Sequence, residues 1–156
     1  MIEEKQAGVE SDTGSVKDQR IVVGIDGSKA SLTALDWAAR QAELTESSLE
    51  IVTAWEYPTS FGWSVIPDNY DPAGDLMKVL EPLLVNLRAA HPNVVVTTNI
   101  VEGHPAPVLI KASHGASLLV VGSRGHGEFI GMLIGSVSEH CVAHAACPVV
   151  VFREIH

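Results

Sequence analysis

The sequence predicts an α/β fold: an open, doubly wound, five-stranded parallel sheet with helices on both faces. Three observations lead there. Five short runs are nearly continuous in apolar, mostly β-branched residues, as suits strands covered on both sides. The segments between them carry apolar residues spaced by three and four, the period of a half-buried helix. The two kinds alternate as β-α-β-α-β-α-β-α-β, the order of parallel strands joined by right-handed crossovers.

Taken along the chain, residues 1–19 are polar, with Gly8, Gly14 and several charges, and read as a flexible tail before a folded domain over 20–156. The first strand is Ile21 to Ile25. Asp26-Gly27-Ser28 then turns the chain, with Ser28 as N-cap of a helix marked by Leu32, Leu35, Ala39 and Ala42. Leu49 to Trp55 forms the second strand. The linker from Glu56 to Asp71 is long for a βα connection, which makes it a functional candidate. It leads to a helix carrying Leu76, Val79, Leu80, Leu83, Leu84 and Leu87, where Pro82 predicts a bend or a break. Val94 to Val101 is the third strand. Pro105, a favourable first-turn proline, opens a helix through Val108, Leu109 and Ala112. Leu118 to Val121 is the fourth strand, Ser136 opens the last helix, and Val149 to Phe152 closes the sheet.

Composition bounds the function. A chain of 156 residues is one domain with one good core. Its net charge of −9 argues against a general nucleic-acid binder, which needs a basic stripe for phosphates. No apolar run approaches the roughly 18 residues of a membrane span. The N-terminal residues have no apolar core after their charges, so no signal peptide is read there and a cytoplasmic location is expected. Cys141 and Cys147 read as small buried residues rather than a functional thiol pair.

The stretch from Gly122 to Ser136 carries the chemistry. It begins at the end of a strand and finishes at the start of a helix, where an open α/β sheet binds its ligands. Glycines let backbone N–H groups approach an anion, and a helix N-terminus adds further donors and a partial positive charge. Ser136 and Ser138 add hydroxyl donors. The P-loop pattern G-x-x-x-x-G-K-[ST] is absent, and Ile130 stands where a dinucleotide fingerprint needs its third glycine. The spacing present is G-x2-G-x9-G-S, from Gly122 and Gly125 to Gly135-Ser136.

That spacing resembles the nucleotide signature of the universal stress protein family. IVVGIDGS, EGHPAPVLIKAS, SLLVVGSRGHG and CPVVVF resemble further segments of the family, so the likeness runs over about residues 20 to 153. It implies strand order 3-2-1-4-5, which opens a crevice between Asp26 and Gly122. It also implies ATP in that crevice, with Mg carried through its phosphates rather than by direct protein ligation. Gly122, Gly125, Gly135 and Ser136 would cradle phosphates, extended by Val137 and Ser138. Ile25 and Asp26 would face the adenosine half, and Thr53 and Ala54 would read the adenine edge through backbone groups. Asp26 also helps to turn the chain into its helix. Beside a triphosphate its carboxylate is repulsive unless it meets a ribose hydroxyl, an adenine amine or a bridging Mg²⁺.

Weaker signals have plain structural readings beside them. Arg124 could neutralise phosphate charge or be a solvated arginine, and His126 is a fainter case of the same. His140 and His144 share a helical face but read as surface or partly packed histidines rather than metal ligands. Phe129, Ile130, Met132, Leu133 and Ile134 are too apolar for a solvated loop; they would cover a nucleotide or pack at a subunit contact. The linker aromatics Tyr57, Phe61, Trp63 and Tyr70, with Trp55 before them, would form a lid or fold onto the surface. Val149, Val150, Val151 and Phe152 would form an apolar sheet edge, and the resemblance implies a two-fold homodimer there. The expected function is an ATP-binding stress-response regulatory homodimer, with slow or no hydrolysis. The alternatives are a nucleotide-independent dimeric interaction module and a weak adenine-nucleotide transferase or hydrolase.

Overall fold

The computed structural model describes residues 19–58, 66–125 and 134–153. The nine elements are β1 (Arg20–Gly24), α1 (Lys29–Leu44), β2 (Ser48–Trp55), α2 (Pro72–Ala90), β3 (Val96–Glu102), α3 (Pro105–Ala112), β4 (Leu118–Gly122), α4 (Ser136–His144) and β5 (Val149–Phe152). All sheet pairings are parallel. The order is β3-β2-β1-β4-β5, as expected. The tail residues 1–18 lie outside the described part.

Strand alternation divides the core into two layers. Ile21, Val23, Leu49, Ile51 and Val120 pack beneath α1 and α2, which contribute Ala34, Leu35, Ala38, Leu80, Leu84 and Leu87. Val22, Val52, Leu119 and Val121 face the other way, against Leu109 of α3 and Cys141 of α4. Helices therefore cover both faces. The crossovers of β1 and β4 go to opposite sides, so their carboxyl ends part. At its other end the sheet is tied by Arg20, which pairs with Glu50 and donates to the carbonyls of Ala112 and His114 at 3.0 and 2.9 Å.

Several elements differ from expectation for local reasons. Helix α2 runs unbroken through Pro82. Asp71 caps its start, accepting from the Gly74 N–H at 3.0 Å, and Leu80, Leu84 and Leu87 anchor it on both sides of the proline. Packing outweighs the lost backbone hydrogen bond. Val94 and Val95 precede β3 instead of belonging to it, because the Val94 N–H turns back to the His91 carbonyl at 3.1 Å. Burial pushes the Cys141 thiol up to about 11, while Cys147, also raised by burial, is drawn back by nearby Arg20. Thiolate chemistry is accordingly disfavoured at Cys141 near neutral pH.

The tightest contact lies where β4 meets α1. A Cβ on Gly122 would stand 2.9 Å from the carbonyl carbon of Ala30 and 2.9 Å from the Ser31 nitrogen. Both are backbone atoms that cannot swing aside. Gly122→Ala is expected to cost about 1–3 kcal/mol, read as a lower denaturation midpoint. Unchanged stability would mean that strand and helix are not in contact there.

Candidate functional site

The carboxyl ends of β1 and β4 are each followed by a turn. After Gly24, the Ile25 N–H still donates to the Val52 carbonyl at 3.0 Å. Gly27 then takes φ 82°, a left-handed conformation that side chains resist, and this reverses the chain into α1. One Asp26 oxygen accepts from the Ser28 N–H at 2.9 Å, while Ser28 Oγ accepts from the Ser31 N–H at 3.2 Å as the helix cap. Ser31 Oγ donates to the Ser28 carbonyl at 2.9 Å. Asp26 is thus held in place by the same turn that opens the helix.

After β4, the Ser123 N–H donates to the Phe152 carbonyl at 2.5 Å. The Ser123 carbonyl accepts from the Gly135 N–H at 2.6 Å. The two ends of the glycine stretch are thereby joined to each other and to β5. Ser138, one turn into α4, donates its hydroxyl to the Gly122 carbonyl at 2.5 Å.

Between these turns lies a cleft of about 580 Å³, its open mouth included. Its apolar end is built from Ile25, Val52 and Ala54 of the sheet, with Pro105 and Leu109 of α3 opposite. Its polar end is built from Asp26, Ser28, Ser31, Arg124 and Gly125, with Val137 and Ser138 at the start of α4. The first turns of α1, α3 and α4 all supply lining residues, so three helix N-termini bring partial positive charge to one rim.

Of the residues singled out from sequence, Ile25, Asp26, Ala54, Gly122, Arg124, Gly125, Val137 and Ser138 line the cleft. Thr53, Gly135 and Ser136 are not among its lining. Thr53 is turned away by strand alternation. Its neighbours Val52 and Ala54 face the cleft, while Thr53 itself lies buried with no hydrogen-bond partner for its hydroxyl. Gly135 is the N-cap of α4, and its N–H is engaged by Ser123. The Ser138 hydroxyl likewise points its proton at the protein. Gly122 owes its lack of a side chain to α1, as described above. Gly125 has a different neighbour: a Cβ there would stand 2.5 Å from Asp26 Oδ2.

Gly24, Ser28, Ser31, Val52, Pro105, Leu109 and Val121 line the cleft without having been singled out as site residues. Ser28 and Pro105 stood out only as helix-start signals. Because helix starts cluster at this edge of a parallel sheet, that signal could have placed them.

His140 Nδ1 lies 2.8 Å from the Ser136 carbonyl, and the rings of His140 and His144 are 6.3 Å apart. Among the described residues no group of three or more His, Cys, Asp or Glu is placed to hold a metal ion. Trp55 meets Tyr57 edge-on at 5.0 Å, and Tyr57 meets Tyr70 at 5.8 Å, so these linker aromatics pack on one another. Phe61, Trp63, His126, Phe129, Ile130, Met132 and Leu133 lie outside the described residues. Ile134 is exposed. Strand β5 is the sheet edge, its four residues half-buried, with Phe152 against Trp37 at 5.4 Å. No helix among the described residues is long and apolar enough to cross a membrane.

The family model for the universal stress protein family matches residues 18–153. Universal stress protein Rv2623 of Mycobacterium tuberculosis (strain ATCC 25618 / H37Rv) is 38% identical over 136 residues, covering 86% of this chain and 45% of that protein. Universal stress protein Rv2624c of the same organism is 33% identical over 144 residues, covering 92% of this chain and 51% of that protein. The chain thus spans about half the length of the curated relatives it matches. A crystal structure of a universal stress protein in complex with cAMP superposes with a TM-score of 0.65 at 28% identity, covering 88% of this chain and 98% of that one.

The placement of Thr53 has a measurable consequence. Its buried hydroxyl lacks a partner, so Thr53→Val is expected to leave stability unchanged or raise it by up to about 1 kcal/mol. A loss above about 1 kcal/mol in chemical denaturation would reveal a hydrogen bond at that hydroxyl.

Proposed function

The chain belongs to the universal stress protein family, and we propose that it binds an adenine nucleotide in the cleft between β1 and β4. The observation that carries this reading is the two-ended character of the cleft. A flat, apolar base suits the slot between Ile25, Val52 and Ala54 on one side and Pro105 and Leu109 on the other. A ribose and phosphate suit the end with Asp26, Ser28, Arg124 and Gly125. The solved relative bound to cAMP supports the same class of ligand.

On this reading Gly125 and the first turn of α4, Gly135 to Ser138, face the phosphate, and Asp26 meets a ribose hydroxyl, a base amine or a bridging Mg²⁺. ATP with Mg is the form that the resemblance of the G-x2-G-x9-G-S motif to the family's nucleotide signature implies. Mg would be carried through the phosphates, with Asp26 as the nearby carboxylate. The protein then works as a cytoplasmic regulatory homodimer, joined along Val149 to Phe152 of β5, with slow or no ATP hydrolysis. A second reading is a dimeric module that needs no nucleotide. It is favoured by one observation: the Gly135 N–H and the Ser138 hydroxyl are already satisfied within the protein.

Thermal unfolding separates the two. A nucleotide at about 100 times its dissociation constant adds about 2.7 kcal/mol of stability, read as a higher melting temperature. A shift is expected with at least one of Mg-ATP, AMP and cAMP; no shift with any of them would leave the second reading. ADP accumulating steadily beyond one equivalent would instead indicate a hydrolase. Sedimentation at tens of micromolar is expected to return a dimer, and a monomer there would remove the β5 contact.

A further inference from the structure

We propose that His140 and His144 form a binding site for a divalent transition-metal ion on the outer face of α4. Neither histidine lines the cleft, so the site stands apart from any nucleotide bound there. Both side chains are exposed. A separation of four residues sets them one above the other on the nine-residue helix. Their ring centres are 6.3 Å apart, with the planes inclined at 43°. Imidazole nitrogens about 2.0–2.1 Å from a shared tetrahedral ion put the ring centres about 5 Å apart. Rotation of the exposed His144 ring inward by about 1 Å therefore completes the chelate.

Spacing alone leaves such a pair as surface histidines; the ring nitrogens make it a ligand pair. His140 Nδ1 lies 2.8 Å from the Ser136 carbonyl. A carbonyl only accepts, so Nδ1 carries the proton and Nε2 keeps its lone pair. Metal-binding histidines are held in this way, with the second nitrogen donating to a carbonyl, which fixes the tautomer and raises the basicity of the ligating one. The bond runs back toward the start of α4, which leaves Nε2 on the other side of the ring, toward the turn that carries His144. The local field also favours a cation. His144 stands in the last turn of α4, at the partially negative end of the helix, on a chain of net charge −9. Imidazole ligands select Zn²⁺, Cu²⁺ or Ni²⁺ rather than Mg²⁺. With two protein ligands the remaining positions go to water, so the ion sits in an open, exchangeable site.

The test is calorimetric titration of Ni²⁺ into untagged protein in excess Mg²⁺, for the wild type, His140→Ala, His144→Ala and His114→Ala. His114, an exposed histidine beyond α3, is the control. The wild type is expected to take up one ion per chain. Either α4 variant should bind about tenfold or more weakly, because two rings give way to one, while His114→Ala should match the wild type. Cu²⁺ should bind the wild type more tightly than Ni²⁺ or Zn²⁺. The α4 variants binding Ni²⁺ as well as the wild type, or His114→Ala losing as much as they do, would reduce the histidines to adventitious surface ligands and overturn the site. A second measurement needs no variant. Substoichiometric Ni²⁺, which is paramagnetic, should broaden the amide resonances of residues 136–145 before any others, and broadening that begins elsewhere would overturn the proposal.

Discussion

The approach of β4 to the first turn of α1, closed to 2.9 Å at an imagined Gly122 Cβ, is the constraint on which the site depends. It holds the helix that follows β1 against the strand beside β1. Because the crossover after β4 leaves toward the opposite face, that clamp leaves a gap on the α3 and α4 side. The cleft is this gap. Its depth comes from strand order, and its floor comes from the residues that alternation turns that way.

Most of the architecture could be read from residue pattern. Apolar β-branched runs located all five strands, and helix-start signals at Ser28, Pro105 and Ser136 located three helices to within a residue. The departures share a cause: local rules yielded to tertiary contacts. Pro82 does not break α2 because leucines on either side are buried. Val94 looks like strand but is turned away by a bond to His91. Strand order was not contained in pattern at all and followed only from family resemblance.

The site was legible in outline and less so in detail. Glycine spacing located the polar end, but spacing cannot say why each glycine is there. Gly122 answers to a helix and Gly125 to a carboxylate, whereas Gly135 sits in extended backbone and bonds the Ser123 carbonyl through an N–H that any residue but proline carries. Thr53 shows the limit of spacing on a strand: adjacent residues point to opposite faces, so its side chain lies buried away from the cleft and only its backbone groups stay on the edge beside Ala54. Ser31, Val52 and Leu109 were hidden because they contribute to the cleft only once three distant segments are brought together.

The bonds around Ser123 tie more than the loop. Its N–H holds the Phe152 carbonyl on the outermost strand, and its own carbonyl holds the Gly135 N–H at the head of α4. Through that one residue the outermost strand is bonded to the end of β4 and to the head of α4. The rim of the pocket and the border of the sheet therefore share one hydrogen-bonded residue.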